Sequence, residues 1–375
     1  MLSAARPERA ALLLTDAKDG TPTMARARKM RVIGGVDTHK DTHHAAVIAM
    51  SGRHLADREF PATAAGYAEL AAWLAGFGRV TAAGVEGTGS YGAGLARHLA
   101  AAGITVREVD RPDRRARRAK GKSDPLDAYA AAGAVLSGRA AGIPKARDGI
   151  VEAIRAVHTA RAGAVKARTA AICQLRALLV TAPAPLREHA PGPAAALAAA
   201  CLRLRPGPDL ADPAAATRHA LRAVARRYRD LTAEITDLDT HLAALTARAA
   251  PALLDLPGVG PETAAQLLVT AGDNPGRLHS EAAFAALCGA SPVPASSGKT
   301  RRHRLNRGGD RQANRALHVI AISRLTHCPA TRAYRDRRAA QQLTPREITR
   351  CLKRYIAREI YHTLTRTPPP PLDRS

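Results

Sequence analysis

Three strand-length segments follow one another with no helix between them, and after them helix and strand alternate. Residues 32–37 form a short apolar run that ends in an acid, residues 44–50 form a second strand, and residues 53–60 alternate as a third. A polar turn, 38–42, separates the first two. Residues 63–74 then read as a helix with Tyr67, Leu70, Trp73 and Leu74 on one side. A strand at 80–86, a helix at 91–102, a strand at 104–110 and a helix at 125–136 complete the pattern. A meander followed by βαβ units predicts a mixed sheet covered by helices, an α/β front domain over 31–142.

The next hundred residues change period. Leu221, Val224, Tyr228, Leu231, Ile235, Leu238, Leu242 and Leu245 step by three and four, the spacing of a coiled-coil seam. An earlier helix carries Ile154, Val157, Ile172, Leu175 and Leu179, and a Pro-rich stretch at 182–213 lies between. Residues 143–250 are expected to form an antiparallel helical pair, a dimerising stalk or an ordinary bundle core. From Leu253 short helices punctuated by Gly and Pro predict a mainly α C-terminal domain over 251–366. Its last helix begins at the capping box Thr344-Pro345-Arg346-Glu347 and carries its last apolar residue at Leu364. Residues 1–30 are expected to be a disordered tail, or an upstream extension if translation starts at Met24 or Met30. Residues 367–375 are expected to be a second tail.

Lys and Arg number 57 against 32 Asp and Glu, a net charge of +25. That excess predicts a polyanionic partner, most simply nucleic acid. Five cysteines without a CxxC pair argue against zinc ribbons and fit a reduced, cytoplasmic setting. No apolar run reaches membrane-spanning length, so no membrane partner is expected.

Four acids stand in the front domain where chemistry would need them. Asp37 ends the first strand and Glu86 the fourth, just before the turn Gly87-Thr88-Gly89. Asp124 and Asp127 lie three apart at a helix start, so both can project from one face. Clustered carboxylates repel unless a cation neutralises them, and oxygen ligands suit Mg²⁺ or Mn²⁺. The plainer roles are a turn start for Asp37 and a helix cap for Asp124 and Asp127. His39, His43 and His44 belong to the polar turn region and are expected to be solvated or to face DNA.

Two basic runs accompany these acids. The first, 111–122, carries Arg114, Arg115, Arg117, Arg118, Lys120 and Lys122, and is expected to hold a phosphate backbone. The second follows Ser296-Ser297-Gly298 and carries Lys299, Arg301, Arg302, Arg304 and Arg307. A serine there is either a nucleophile toward phosphate, with the cations offsetting charge, or a turn residue that contacts DNA. Upstream, Leu256-Pro257-Gly258-Val259-Gly260 has the form of a helix-hairpin-helix turn, whose glycines Gly258 and Gly260 would let backbone N–H groups approach a phosphate. A plain interhelical turn is the alternative.

The pieces Val36-Asp37-Thr38-His39-Lys40, Glu86-Gly87-Thr88-Gly89-Ser90-Tyr91, Lys122-Ser123-Asp124-Pro125-Leu126-Asp127-Ala128, Leu256-Pro257-Gly258-Val259-Gly260 and Ser296-Ser297-Gly298-Lys299 together resemble the DEDD transposases of insertion-sequence family one-ten. The resemblance runs in order from Val32 to about Leu364. It implies a RuvC-like front domain, a coiled-coil stalk and a C-terminal transposase domain. It implies a metal site of Asp37, Glu86, Asp124 and Asp127, a catalytic serine at Ser297, and action on double-stranded DNA. Members act as multimers in which the front domain of one subunit meets the back domain of another, so a dimer or tetramer is implied. Some use a structured guide RNA encoded by the element. Two other functions use the same residues differently. A junction-resolving nuclease would need the acids but not Ser297, and a non-catalytic nucleic-acid-binding protein would use the acids only as caps and turns.

Overall fold

A computed structural model describes residues 30–109, 123–297 and 302–366. The chain divides into two compact units, 1–145 and 146–375. The predicted tails 1–30 and 367–375 lie, but for Met30, outside the described residues.

The front unit holds β1 (Arg31–Thr38), β2 (Thr42–Ala49), β3 (His54–Pro61), α1 (Ala64–Gly76), β4 (Arg79–Glu86), α2 (Ala93–Ala101), β5 (Val106–Val109) and α3 (Asp124–Leu136). The strands pair in the order β3-β2-β1-β4-β5. β1, β2 and β3 are antiparallel neighbours, while β4 runs parallel to β1 and β5 parallel to β4. Side chains alternate across the sheet. Val32, Val36, Ala83 and Val85 point to one face, where they bury against Leu70 and Leu74 of α1 and Leu95 and Leu99 of α2. Each of those leucines is fully buried, which stabilises the layer by about 1.5–3 kcal/mol per side chain.

The other face is covered by α3, and two glycines make that contact close. Gly35 of β1 pairs with Gly84 of β4. A Cβ on Gly35 would stand 2.2 Å from the Ala128 carbonyl oxygen, and one on Gly84 would stand 2.7 Å from that of Ala131. The helix backbone therefore rests on a flat spot spanning two strands. Ala132 joins Ile33 and Ile48 beside it. Ser123 stands at the cap position, with no side-chain cap hydrogen bond, and Asp124 is already in the helix, so Asp124 is not the cap residue considered from the sequence.

In the back unit the heptad seam closes within the chain. α4 (Ile150–Val180) packs along α7 (Pro213–Ala249). Arg161 pairs with Asp239, and Arg227 donates to Gln174 at 3.3 Å, so numbering rises on one helix as it falls on the other. The pair is antiparallel. Ile172, Leu175 and Leu179 meet Leu221 and Ala225 at one end, under α5 (Ala184–Glu188) and α6 (Ala194–Leu202). At the other end Ile154 and Leu242 enter a core shared with the C-terminal helices. The stretches 143–250 and 251–366 thus share packing rather than standing apart.

That C-terminal part comprises α8 (Pro251–Leu254), α9 (Pro261–Ala271), α10 (Glu281–Leu287), a short hairpin of β6 (Val293–Pro294) and β7 (His303–Arg304), α11 (Arg311–His327), α12 (Pro329–Ala340) and α13 (Pro345–Arg366). The capping box forms as predicted. The Thr344 N–H donates to Glu347 Oε2 at 2.9 Å, and the Glu347 N–H donates to Thr344 Oγ1 at 3.4 Å. No helix of the described residues is long and apolar enough to cross a membrane.

Candidate active site

Asp37 and Glu86 follow the paired glycines by two residues each, so they leave the sheet on the face that α3 covers. The Val36–Val85 pairing sets the two acids side by side at the C-terminal ends of parallel strands. β4 stops sharply because Gly87 turns at φ +65°, and Thr38 Oγ1 donates to the Glu86 carbonyl at 2.9 Å. Asp37 and Asp127 are buried, Asp124 and Glu86 partly so. Ala128 sits against Gly35, which brings the first turn of α3, with Asp124 and Asp127, to the same end of the sheet.

His39 joins two of these acids. Its Nε2 lies 3.2 Å from Asp37 Oδ2 and 3.4 Å from Asp124 Oδ1. Ligand atoms of Asp37, His39 and Asp124 all fall within 4.8 Å of one another, a spacing that fits one divalent cation. The His39 side chain remains 42% exposed, as expected of a polar turn, while its Nε2 faces the two carboxylates. The His39 backbone N–H closes a tight turn to the Thr42 carbonyl at 3.0 Å, which folds the ring back over the strand end.

The other two histidines depart from expectation, because β2 begins at Thr42. His43 points to the inner face, fully buried and stacked on Tyr67 with ring centroids 5.5 Å apart. Burial pushes its pKa below the usual histidine range, against the opposing pull of the Thr42 carbonyl. His44 pairs with Asp37 across the strands and emerges on the α3 face. Its Nε2 is 2.8 Å from Asp57 Oδ2, and Tyr129 donates to Asp57 Oδ1 at 3.1 Å. Burial and that carboxylate push the Tyr129 hydroxyl up to about 12.

Arg114, Arg115, Arg117, Arg118, Lys120 and Lys122 lie outside the described residues, on the stretch that joins Val109 to Ser123. In the back unit the hairpin pairs Val293 with Arg304 and Pro294 with His303, and the Ala295 N–H donates to the Arg302 carbonyl at 2.8 Å. Ser296 and Ser297 continue this arm and are exposed, as are Arg302, Arg304 and Arg307. Gly298, Lys299 and Arg301 lie outside the described residues.

The Gly258 turn faces the protein. Gly258 has φ +74°, and a Cβ there would come within 3.2 Å of the Ile320 carbonyl and Ser323 Oγ of α11. Arg324 donates to the Pro257 carbonyl at 2.7 Å. Gly260 caps α9, and its N–H donates to Thr263 Oγ1 at 3.1 Å. Glu262 occupies the first turn of α9, its carboxyl held below the usual range by His158. This helix end therefore already carries an anionic side chain.

A family model for DEDD transposases of the IS110 type matches residues 34–182. A second, described as Transposase IS116/IS110/IS902 family, matches residues 250–336. Together they cover more than half of the chain. The chain belongs to the IS110 family of transposases. It is also 37% identical over 126 residues to the "Insertion element IS110 uncharacterized 43.6 kDa protein" of Streptomyces coelicolor (strain ATCC BAA-471 / A3(2) / M145). That alignment spans 33% of this chain and only 29% of the relative. Membership implies a divalent metal at such a domain.

Proposed function

We propose that this chain cuts insertion-element DNA and rejoins it, using a ribonuclease-H-like, RuvC-like front unit and a serine in the back unit. The observation that carries the proposal is the convergence of Asp37 and Asp124 on one histidine nitrogen beside the Asp37–Glu86 strand pair. Strand order 3-2-1-4-5, with a meander and parallel additions, supports the fold assignment.

Asp37, Glu86, Asp124 and Asp127 would hold Mg²⁺ or Mn²⁺, with His39 as an added nitrogen ligand. Cations bound there would neutralise charge at a phosphate. Ser297 Oγ forms an ester with the scissile phosphorus, and the displaced strand leaves with a free hydroxyl. That ester stores the energy needed for rejoining, which hydrolysis would dissipate. Arg301, Arg302 and Arg304 offset charge on the phosphoryl oxygens, and Gly298 lets the backbone approach closely. The runs 111–122 and 299–311 hold the phosphate backbone. The partners in this account are double-stranded DNA, a structured guide RNA encoded by the element, and further copies of the chain as a dimer or tetramer.

The test is strand cleavage by Asp37→Asn and Glu86→Gln proteins. Both are expected to bind DNA normally and to cut at no detectable rate. Full cleavage by either variant, or by the unaltered protein in excess chelator, removes the carboxylate site from the account.

A further inference from the structure

The back unit contains a cavity of about 650 Å³, bounded by the β6–β7 hairpin, the end of α12 and one face of α13. Among the described residues, seven Lys and Arg side chains and two carboxylates line it. Both carboxylates are already engaged. Glu281 holds Arg354 and Arg358, with His362 at 3.4 Å, and Glu347 accepts the Thr344 N–H and hydroxyl as the cap of α13. The other five cations are Arg302, Arg304, Arg338, Arg350 and Lys353. The Thr344 bonds, with Arg302 and Arg350 close by, hold the Glu347 carboxyl below the usual range. The hydrogen bonds of Arg338 and Arg350 go to neutral groups, the Gln341 side chain at 2.7 Å and the His303 carbonyl at 3.3 Å.

Lys353 is the most informative of the five. It is only 7% exposed, and its Nζ donates to the Asn314 amide oxygen. Asn314 is itself fixed by donating to the Cys288 and Gly289 carbonyls at 3.0 and 2.8 Å. Burial, with Arg350 adding to it, pushes the Lys353 ammonium below the usual lysine range. A buried ammonium held by a neutral amide among guanidinium groups is costly until an anion joins it.

One wall is aromatic. Tyr355 is 55% exposed and lines the cavity, with its ring set edge-on to Tyr334 at 5.8 Å. Cavities of roughly 300–1,000 Å³ accommodate small organic molecules, and a nucleotide falls in that range. Cationic groups around an anion and an exposed tyrosine are the two elements by which proteins hold unpaired bases.

We infer that this cavity seats one unpaired nucleotide of a nucleic-acid strand, with its phosphate among Lys353, Arg350 and Arg302 and its base stacked on Tyr355. A paired base is excluded, since its partner strand would have to enter as well. The inference rests on the nucleic-acid reading above and deepens it. The same hairpin carries Ser296 and Ser297, so a strand anchored in the cavity is tethered beside the proposed nucleophile.

The experiment is fluorescence anisotropy with labelled oligo-dT, oligo-U and a mixed-sequence duplex, each on the order of 15 nucleotides long. Tyr355→Leu leaves charge unchanged and alters an exposed side chain, so it isolates stacking from general electrostatics. It is expected to weaken single-strand binding about tenfold and duplex binding less than about twofold, because duplex affinity follows charge. Lys353→Met, with its fold checked by circular dichroism, is expected to act in the same direction. A loss confined to oligo-dT assigns the nucleotide to DNA, and one confined to oligo-U assigns it to RNA. Unchanged single-strand binding by Tyr355→Leu, or equal loss for single strand and duplex, overturns the cavity assignment while leaving the transposase reading intact. If the unaltered protein binds none of the three probes, the nucleic-acid reading itself fails.

Discussion

Gly35 of β1 and Ala128 of α3 are packed so closely that a single added carbon on Gly35 would stand 2.2 Å from the Ala128 carbonyl oxygen. The two acids of α3 owe their place at the sheet end to that contact. Gly35→Ala is therefore expected to push α3 outward. Overpacking of this kind costs about 1–3 kcal/mol, a fall in Tm of roughly 4–15 °C for a unit of this size. Thermal unfolding and a cleavage assay at a temperature where the variant remains folded check it. Loss of cleavage with a modest loss of Tm fits; an unchanged Tm contradicts the packing.

His39 bridges Asp37 and Asp124 from a partly exposed position, with a side chain 42% exposed. Its removal should cost little stability but should weaken cation binding. His39→Ala is expected to raise the half-saturating Mn²⁺ concentration for cleavage by about tenfold or more, by analogy with the 10–100-fold cost of disturbing a metal's supporting ligands. Excess Mn²⁺ should restore most of the rate. An unaltered metal titration would leave His39 a neighbour of the site and no more.

His43 should make stability depend on pH. Its folded pKa is depressed by burial, so the unfolded chain binds the proton more readily. The stabilisation is complete above the unfolded value of about 6.5 and is lost as pH falls from there through the folded pKa. His43→Phe keeps a ring to stack on Tyr67 and removes the titration. The unaltered protein is expected to lose more Tm than this variant between about pH 7.5 and pH 5.5. Parallel curves would show that His43 does not titrate on unfolding.

The front sheet was largely legible from the order of its runs. Gly35 and Gly84 look like ordinary small residues until β1 and β4 pair in parallel and α3 lands on both. His43 and His44 were misread because the turn is shorter than its polar residues suggest. With β2 starting at Thr42, His43 and His44 take opposite faces, and His39 folds back over Asp37. The step of three and four from Leu221 to Leu245 located a seam but not its partner. Contacts such as Arg161–Asp239 and Arg227–Gln174, and the packing of Leu175 with Leu221, identify that partner as the chain's own α4. The cavity was not legible, because Arg302 and Lys353 lie far apart in sequence and meet only when α13 packs beside the hairpin.

The most direct measurement concerns Ser297. The account predicts a covalent protein–DNA ester during strand exchange. Labelled element-end DNA is incubated with protein and metal, quenched in denaturant and resolved by size. The unaltered protein should yield a protein-linked band that survives denaturation and maps to the peptide containing Ser297. Ser297→Ala should bind DNA yet give neither the band nor recombinant product, whereas Ser296→Ala should keep at least part of both. Recombination by Ser297→Ala, or by the unaltered protein without any such adduct, would contradict the account and favour direct attack by a DNA 3′-hydroxyl.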